Sequence, residues 1–360
     1  MNEESLITDI EQLTPEWLTN IFKKKGYLSN GKVTKIIKEK SQKNVSSEVF
    51  FFKLEFSIDA KMELPSAEIV VKKWNFINGN EVHFYNSIAN QMKEIPIPLC
   101  YYAYSSKGNN ESLIILNNML TTHKEYLTSL DKLTKRHAKR AIETLAEIHA
   151  FWWEHPKLEN IIGLNITDKN RFIAFYNTTK NTLHQWLDNA GDKISYERKE
   201  LYKKCYSLYP EVFWKRIRKR KNLTIIHGDA HLAQFFYPKD IENKEHKAYL
   251  ADWACCQANI GTYDLAYMIG MFSFFSDPEV YYNTEKECIE HYHNALLNCG
   301  VKNYSYDDCF YDFRMGLINN FYMPLWHQNP TLFWENAVLK SSAVLNFKEF
   351  NCIEILESKE

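Results

Sequence analysis

"TIIHGDAHLAQFFYPKD", residues 224–240, breaks an apolar run at His227-Gly228-Asp229 and resumes one at Phe235. Leu223 to Ile226 and Phe235 to Tyr237 both have strand composition, and the polar insert between them carries an acid, two imidazoles and an amide. A second acid closes a later strand-like run in "YLADW", where Asp252 stands 23 residues after Asp229. Hairpin connection would bring two strand-end carboxylates to one end of a small sheet. Like charges that converge without a basic cluster invite a divalent cation, and the amide of Gln234 offers a further oxygen.

Phosphoryl transfer from a nucleotide uses this set of groups. One acid orients and deprotonates the accepting hydroxyl, and a second acid with an amide holds magnesium on the phosphates. In kinases the amide follows the catalytic acid by five residues and the second acid comes on a later strand, which is the order of Asp229, Gln234 and Asp252. Such an enzyme also needs a strand lysine for the phosphates and a helix glutamate to hold it. "EIVVKKW" supplies Lys72, and Glu81 follows nine residues later in "NEVHFY". Period-two alternation sends Lys73 to the opposite face, where it is expected to be solvated.

The stretches around these motifs have an α+β pattern. "TPEWLTNIFKKKGYL" reads as a helix capped by Thr14, with Pro15 in its first turn and Gly26 closing it. Two strand-like runs flank the polar turn "SQKNVSS", a third is "AEIVVKKW", and "CYYAYSSKGNNESLIILNNM" reads as a hairpin. The segment "GNEVHFYNSIANQM" between them reads as one helix. From there to residue 222 the pattern is helical: Ala141, Leu145, Ile148 and Trp152 fall on one stripe, and "EVFWKRIRKRKN" reads as a basic helix. After the hairpin "FFYPKDIENKEHKAYLADW" the remainder reads as helical and aromatic-rich. The aromatic segments "AFWWEH" and "NFYMPLWHQNPTLFWENA" can serve as core or line a pocket, and core is the commoner use of such stripes.

The 360 residues suffice for two lobes, and a net charge of −1 gives no sign of a polyanion binder. No nucleic-acid partner is expected. The polar start "MNEESLITDIEQL" is unlike a signal peptide, no apolar run approaches a membrane span, and the eight cysteines lack metal-site spacing. A cytoplasmic protein with reduced thiols and no membrane partner is the expectation.

With these residues in hand, the sequence resembles the aminoglycoside phosphotransferase and choline kinase-like family, including its ecdysteroid-kinase-like branch. The resemblance is carried by "IVVKKW", "EVHFY", "LIILNNM", "IHGDAHLAQFFY", "LADW" and "GTYDLA", in order, over roughly residues 30–275. It implies a two-lobed protein-kinase-like α+β fold. Residues 1–118 would form a nucleotide-binding lobe with an antiparallel sheet and one helix, and residues 119–360 a mostly helical lobe for catalysis and acceptor binding. It further implies ATP and Mg2+ as cofactors and a small-molecule hydroxyl as acceptor. By position, Asp229 would be the base, and Asp252 and Gln234 the metal ligands. Lys72 would contact the phosphates with Glu81 as its partner, and Ser46 and Ser47 would lie in the covering turn. Leu116, Asn117, Asn118 and Met119 would form the adenine hinge, while His227, His231 and Asp264 would be scaffold.

Three departures stand out. The family usually has Asn where this chain has Gln234, the turn "SQKNVSSEV" lacks glycine, and the hinge has Asn117-Asn118 where relatives tend to have acids. The alternatives are a pseudokinase that binds nucleotide or a partner without turnover, and transfer of another group, such as adenylyl, to protein on the same fold.

Overall fold

The computed structural model describes residues 6–43, 47–75, 79–92, 94–108, 110–126, 132–160, 169–243, 245–272, 278–322 and 347–358. Packing divides the chain into two compact units, Met1–Glu125 with Phe236–Cys255, and Tyr126–Phe235 with Cys256–Glu360.

The first unit is built on strands β1 (Leu28–Asn30), β2 (Val33–Lys43), β3 (Glu48–Phe56), β4 (Lys61–Met62), β5 (Glu68–Trp74), β6 (Cys100–Ser106), β7 (Glu111–Asn117) and β8 (His123–Lys124). Five of them make an antiparallel sheet in the order β2-β3-β5-β7-β6. The lysine strand β5 is therefore central, with Lys72 opposite Val49 on one side and Ile114 on the other. The edge strand β2 exposes Lys35, Lys38, Lys40 and Lys43, a charge pattern that discourages edge pairing.

Helix α1 (Pro15–Lys24) starts as expected: the Thr14 side chain accepts from the Trp17 N–H and Pro15 occupies the first turn. Its buried face, Trp17, Leu18, Ile21 and Phe22, packs with Phe50, Phe52, Leu54, Ile69, Val71, Leu113 and Ile115. Ile69 and Val71 share one face of β5, so Lys72 and Trp74 point to the other.

The single helix expected over 79–92 changes type along its length. Helix α2 (Gly79–His83) gives way to a π-helical turn at Phe84–Ile88 and a 3-10 turn at Ala89–Gln91. The wide turn lets consecutive Phe84 and Tyr85, with Ile88, all be buried.

The segment 236–255 packs with this first unit rather than with the helical one, as do residues 119–125. Its cause is tertiary: strand β10 (Phe235–Pro238) pairs with β8, strand β11 (Tyr249–Leu250) joins β10, and the Leu250 N–H donates to the Pro96 carbonyl.

Among the described residues the second unit holds strands β9 (Leu223–Ile226) and β12 (Gln257–Ile260), paired antiparallel, and six long helices. These are α3 (Lys135–Trp152), α4 (Lys169–Ala190), α5 (Tyr196–Ile217), α6 (Thr262–Phe272), α7 (Pro278–Asn298) and α8 (Tyr306–Asn319). The expected stripe on α3 is the buried one, with Ala141, Leu145, Ile148 and Trp152 all inaccessible to solvent. The basic helix expected over 211–222 is the end of α5, which begins at Tyr196, contains Pro210, and stops at Ile217. Arg220 and Asn222 then take left-handed backbone conformations.

Tyr202, Tyr206, Tyr209 and Phe213 of α5 are core: Tyr202 meets Phe321 edge-on, Tyr206 stacks on Tyr322, and Tyr209 stacks on Phe213 and tilts against Tyr322. The rest of "NFYMPLWHQNPTLFWENA" lies outside the described residues. Among the described residues no helix is long and apolar enough to cross a membrane. Among the described residues no cysteine forms a disulfide.

Candidate functional site

The first cluster lies within the first unit. On the face of β5 away from α1, the Lys72 ammonium sits 3.1 Å from Glu81 Oε2 and 2.5 Å from Asp252 Oδ1. It also lies 4.6 Å from the centre of the Trp74 ring, its neighbour on the same face. Glu81 is wholly buried in α2, whereas the Asp252 side chain is 43% exposed. Burial pushes the Glu81 carboxyl up to about 7, against the pull of Lys72. Burial also works against the Lys72 charge, and the carboxylates of Glu81 and Asp252 outweigh it, raising its pKa.

Asp252 itself has φ +68°, a left-handed conformation that costs a non-glycine residue about 1–2 kcal/mol. The next two residues hold it there. The Trp253 ring stacks on Phe84 at 4.0 Å with planes 4° apart and donates its N–H to Leu250 O, while Asn80 Nδ2 donates to Ala254 O. An acid kept in a strained conformation by the helix segment that carries Glu81 is a built feature.

Lys73 is not solvated as alternation suggested. It does point to the opposite face, but there it is paired with Asp9 and lies 3.6 Å from Glu111, whose other oxygen accepts from Thr8 Oγ1. The N-terminal segment is pinned across the sheet by these bonds and by exchange between Ile7 and the Tyr102 hydroxyl. A lysine at a core-face position needs its charge matched, and nothing local in the sequence names Asp9 as the partner.

The two lysines should therefore respond differently to truncation. Lys72→Ala leaves Glu81 buried without its cation and should weaken ATP binding by about tenfold or more. Lys73→Ala should leave ATP affinity within about twofold while costing about 1 kcal/mol of unfolding free energy. Isothermal calorimetry and urea melts of both variants test this, and the reverse pattern would place the phosphate lysine at 73.

The residues expected to form the hinge lie at and just beyond the end of β7. Asn117 exchanges bonds with Leu99, its N–H donating to the Leu99 carbonyl and its Oδ1 accepting the Leu99 N–H. Asn118 donates its N–H and its side-chain amide to Glu68. Both asparagines thus tie the end of β7 to neighbouring segments. Leu116 is locked in the ladder, and the buried Met119 has a backbone N–H with no partner among the described residues. Ser47, just before β3, is buried; Ser46 lies outside the described residues.

The second cluster lies within the second unit, at the end of β9. Gly228 has φ +82°, which reverses the chain and presents the partly exposed Asp229. The Gln234 amide nitrogen donates to Asp229 Oδ2 at 3.1 Å, and His231 Nε2 stands 3.9 Å from the same oxygen. Asp229 Oδ1 has no partner among the described residues. Beneath, the buried Asp264 carboxylate accepts the His227 N–H at 2.6 Å and the Gly228 N–H at 2.8 Å, and His227 Nδ1 accepts the Asp229 N–H. His227 and Asp264 brace this turn, as the resemblance implied.

One member of that brace was not foreseen: His149 of α3, fully buried, with Nε2 3.3 Å from Asp264 Oδ2. Its signal was present as a polar residue beside Ile148 on an otherwise apolar stripe. Thus Lys72, Glu81 and Asp252 come together in one unit, and Asp229 and Gln234 in the other.

A family model described as the ecdysteroid kinase-like family matches residues 26–303, most of the chain. The chain belongs to the ecdysteroid kinase-like family. The match takes in Lys72, Glu81, Asp229, Gln234, Asp252 and Asp264, but not the N-terminal segment that grips Lys73. No curated protein matches.

Among solved structures, a candidate aminoglycoside phosphotransferase from Ralstonia eutropha JMP134 is 11% identical, with a TM-score of 0.56 over 91% of this chain and 94% of that one. A choline kinase from Streptococcus pneumoniae is 13% identical, with a TM-score of 0.45 over 88% of this chain and 94% of that one. A spectinomycin phosphotransferase, solved with ADP and spectinomycin, is 12% identical, with a TM-score of 0.47 over 96% of this chain and 98% of that one. At these identities the likeness concerns the fold. This ecdysteroid kinase-like chain has the two-lobed, protein-kinase-like α+β fold, with an antiparallel sheet in one part and helices in the other.

Proposed function

We propose that the protein is an ATP-dependent phosphotransferase that moves the γ-phosphate to a hydroxyl of a small molecule. The observation that carries this reading is Lys72 held between buried Glu81 and exposed Asp252. A lysine fixed by a buried acid beside a second, accessible carboxylate is the arrangement that phosphate and its cation require. The family supports the same reaction class. In this reading the sheet-bearing part, centred on residues 1–118, binds nucleotide, and the helical part within 119–360 supplies the base and the acceptor site.

Lys72 would hold phosphate oxygens, and Glu81 keeps its ammonium from swinging away. The Met119 N–H is the hinge donor for adenine. Asp252 and the amide oxygen of Gln234 would hold magnesium, for which the donors fit: both are hard oxygens, and magnesium is commonly held by one or two carboxylates plus the phosphates. Bound there, the ion would neutralise charge on the transferring phosphoryl group. Gln234 would serve twice, since its amide nitrogen orients Asp229 Oδ2. That leaves Oδ1 of Asp229 to take the proton of the acceptor hydroxyl as its oxygen attacks the γ-phosphorus and ADP leaves. His231 and His227 would stay structural.

A second reading, nucleotide binding without turnover, draws on the same Gln234: its longer side chain already spends a donor on Asp229. The test is calorimetry of ATP binding with and without magnesium, in the parent and in Asp252→Ala, followed by γ-phosphate transfer against a panel of hydroxyl acceptors. Asp252→Ala should lose the magnesium-dependent part of binding, at least about tenfold in affinity. Equal, metal-independent binding in parent and variant would overturn the assignment of Asp252, and binding without transfer to any acceptor would favour the second reading.

A further inference from the structure

We infer that His149 is a positioning residue for Asp229, acting through the Asp264 carboxylate that holds the peptide groups of His227 and Gly228. This rests on Asp229 being the base.

Four contacts fix the His149 ring and backbone. Its Nδ1 lies 2.7 Å from the Tyr292 hydroxyl, its Nε2 3.3 Å from Asp264 Oδ2, and its carbonyl accepts from Thr224 Oγ1 of β9 at 2.7 Å. Gly261 packs against the same ring: a Cβ there would collide with the Tyr292 hydroxyl and with His149 Nδ1. The Asp264 carboxylate only accepts, which fixes the tautomer with Nδ1 accepting from the Tyr292 hydroxyl. Nε2 then carries the ring hydrogen and donates to Asp264.

Asp264 is wholly buried and accepts from the His227 N–H, the Gly228 N–H and His149; among the described residues no Arg or Lys side chain donates to it. A buried carboxylate needs its lone pairs filled, and Oδ2 is shared between His149 and the His227 N–H. The imidazole therefore sets the tilt of the carboxylate plane. That plane in turn aims the 227–228 backbone, from which Asp229 departs through a left-handed glycine. The chain from Tyr292 to Asp229 runs through named hydrogen bonds in one unit, and its first three members, Tyr292, His149 and Asp264, are closed to solvent.

A positioning role has a signature that simple stabilisation lacks. His149→Phe keeps the ring volume and deletes the donor. It should lower kcat by about tenfold or more, with KM for ATP unchanged within about twofold, because only the orientation of the base is lost. His149→Gln, which can return an N–H to Asp264, should recover most of the rate. Tyr292→Phe should give a smaller loss of the same kind. Hydrogen exchange at the His227 and Gly228 amides should accelerate in His149→Phe and be restored in His149→Gln.

Full kcat in His149→Phe, or equal losses of kcat, ATP affinity and melting temperature in both His149 variants, would overturn the inference. If the parent transfers phosphate to no acceptor, the activity reading fails, and the exchange measurement still decides: unchanged amide exchange in His149→Phe removes the coupling.

Discussion

Asp229→Asn is expected to bind ATP as the parent does and to lose turnover by about a hundredfold or more. The substitution keeps the shape of the side chain and an oxygen on Cγ but removes the basic carboxylate. In the parent, Asp229 Oδ2 accepts from the Gln234 amide, and in the proposed mechanism Oδ1 takes the proton. An Asn amide would either turn its NH2 towards the acceptor hydroxyl, which then has no base, or towards Gln234, whose donor it would oppose. Both outcomes cost rate. Lys72, Glu81 and Asp252 are untouched, so nucleotide affinity measured by calorimetry should hold. Full activity in Asp229→Asn would remove the base from Asp229 and leave the acid as an N-terminal brace of its turn.

Asp312→Ala should cost about 3–5 kcal/mol of unfolding free energy. Arg216 of α5 and Asp312 of α8 form a two-pronged ion pair, with both N–O distances 2.6 Å and both side chains buried. The Tyr304 hydroxyl adds a third bond to Asp312, and Arg216 donates on to the Lys221 carbonyl. Burial pushes the Asp312 carboxyl up and the Arg216 guanidinium pulls it down, so the charge persists only with its partner present. Truncating the acid strands a guanidinium in the core. Urea melts should show a lower midpoint with an unchanged slope, and a loss below about 1 kcal/mol would mean the pair is relaxed by solvent. The double change Arg216→Met with Asp312→Leu should recover part of the loss, because it removes both charges together.

The location of this pair bears on the site. Arg216 holds the Lys221 carbonyl just ahead of β9, the strand that ends in His227-Gly228-Asp229, and Glu154 accepts the Asn222 N–H. Asp229 is thus approached by a turn tied at both ends. Its sequence, "RKRKN", reads locally as the continuation of a helix, yet Arg220 and Asn222 are left-handed.

Much of the site was legible before any coordinates. The five-residue interval from Asp229 to Gln234, the strand ahead of Asp252 and the alternation that separates Lys72 from Lys73 are all local: period two, strand ends and turn residues decide them within a few positions. The buried stripe of α3 and the Thr14 cap of α1 belong to the same class. So does the family, because its motifs are short and their order along the chain is itself the signal.

What the sequence by itself determined, then, was the family, the candidate residues and the faces of the elements they sit on. Tertiary structure alone decided their partners. Asp252 reaches Lys72 across 180 positions, Asp264 meets His149 across 115, and Lys73 is neutralised by an acid 64 residues away. The same holds for segment 236–255, which joins the first unit through pairing with β8 and the Phe84–Trp253 stack. Local periodicity reports only which side of a strand or helix is apolar. A buried charge, a left-handed acid or a π turn is tolerated only where distant groups complete it, and that completion exists in the folded chain alone.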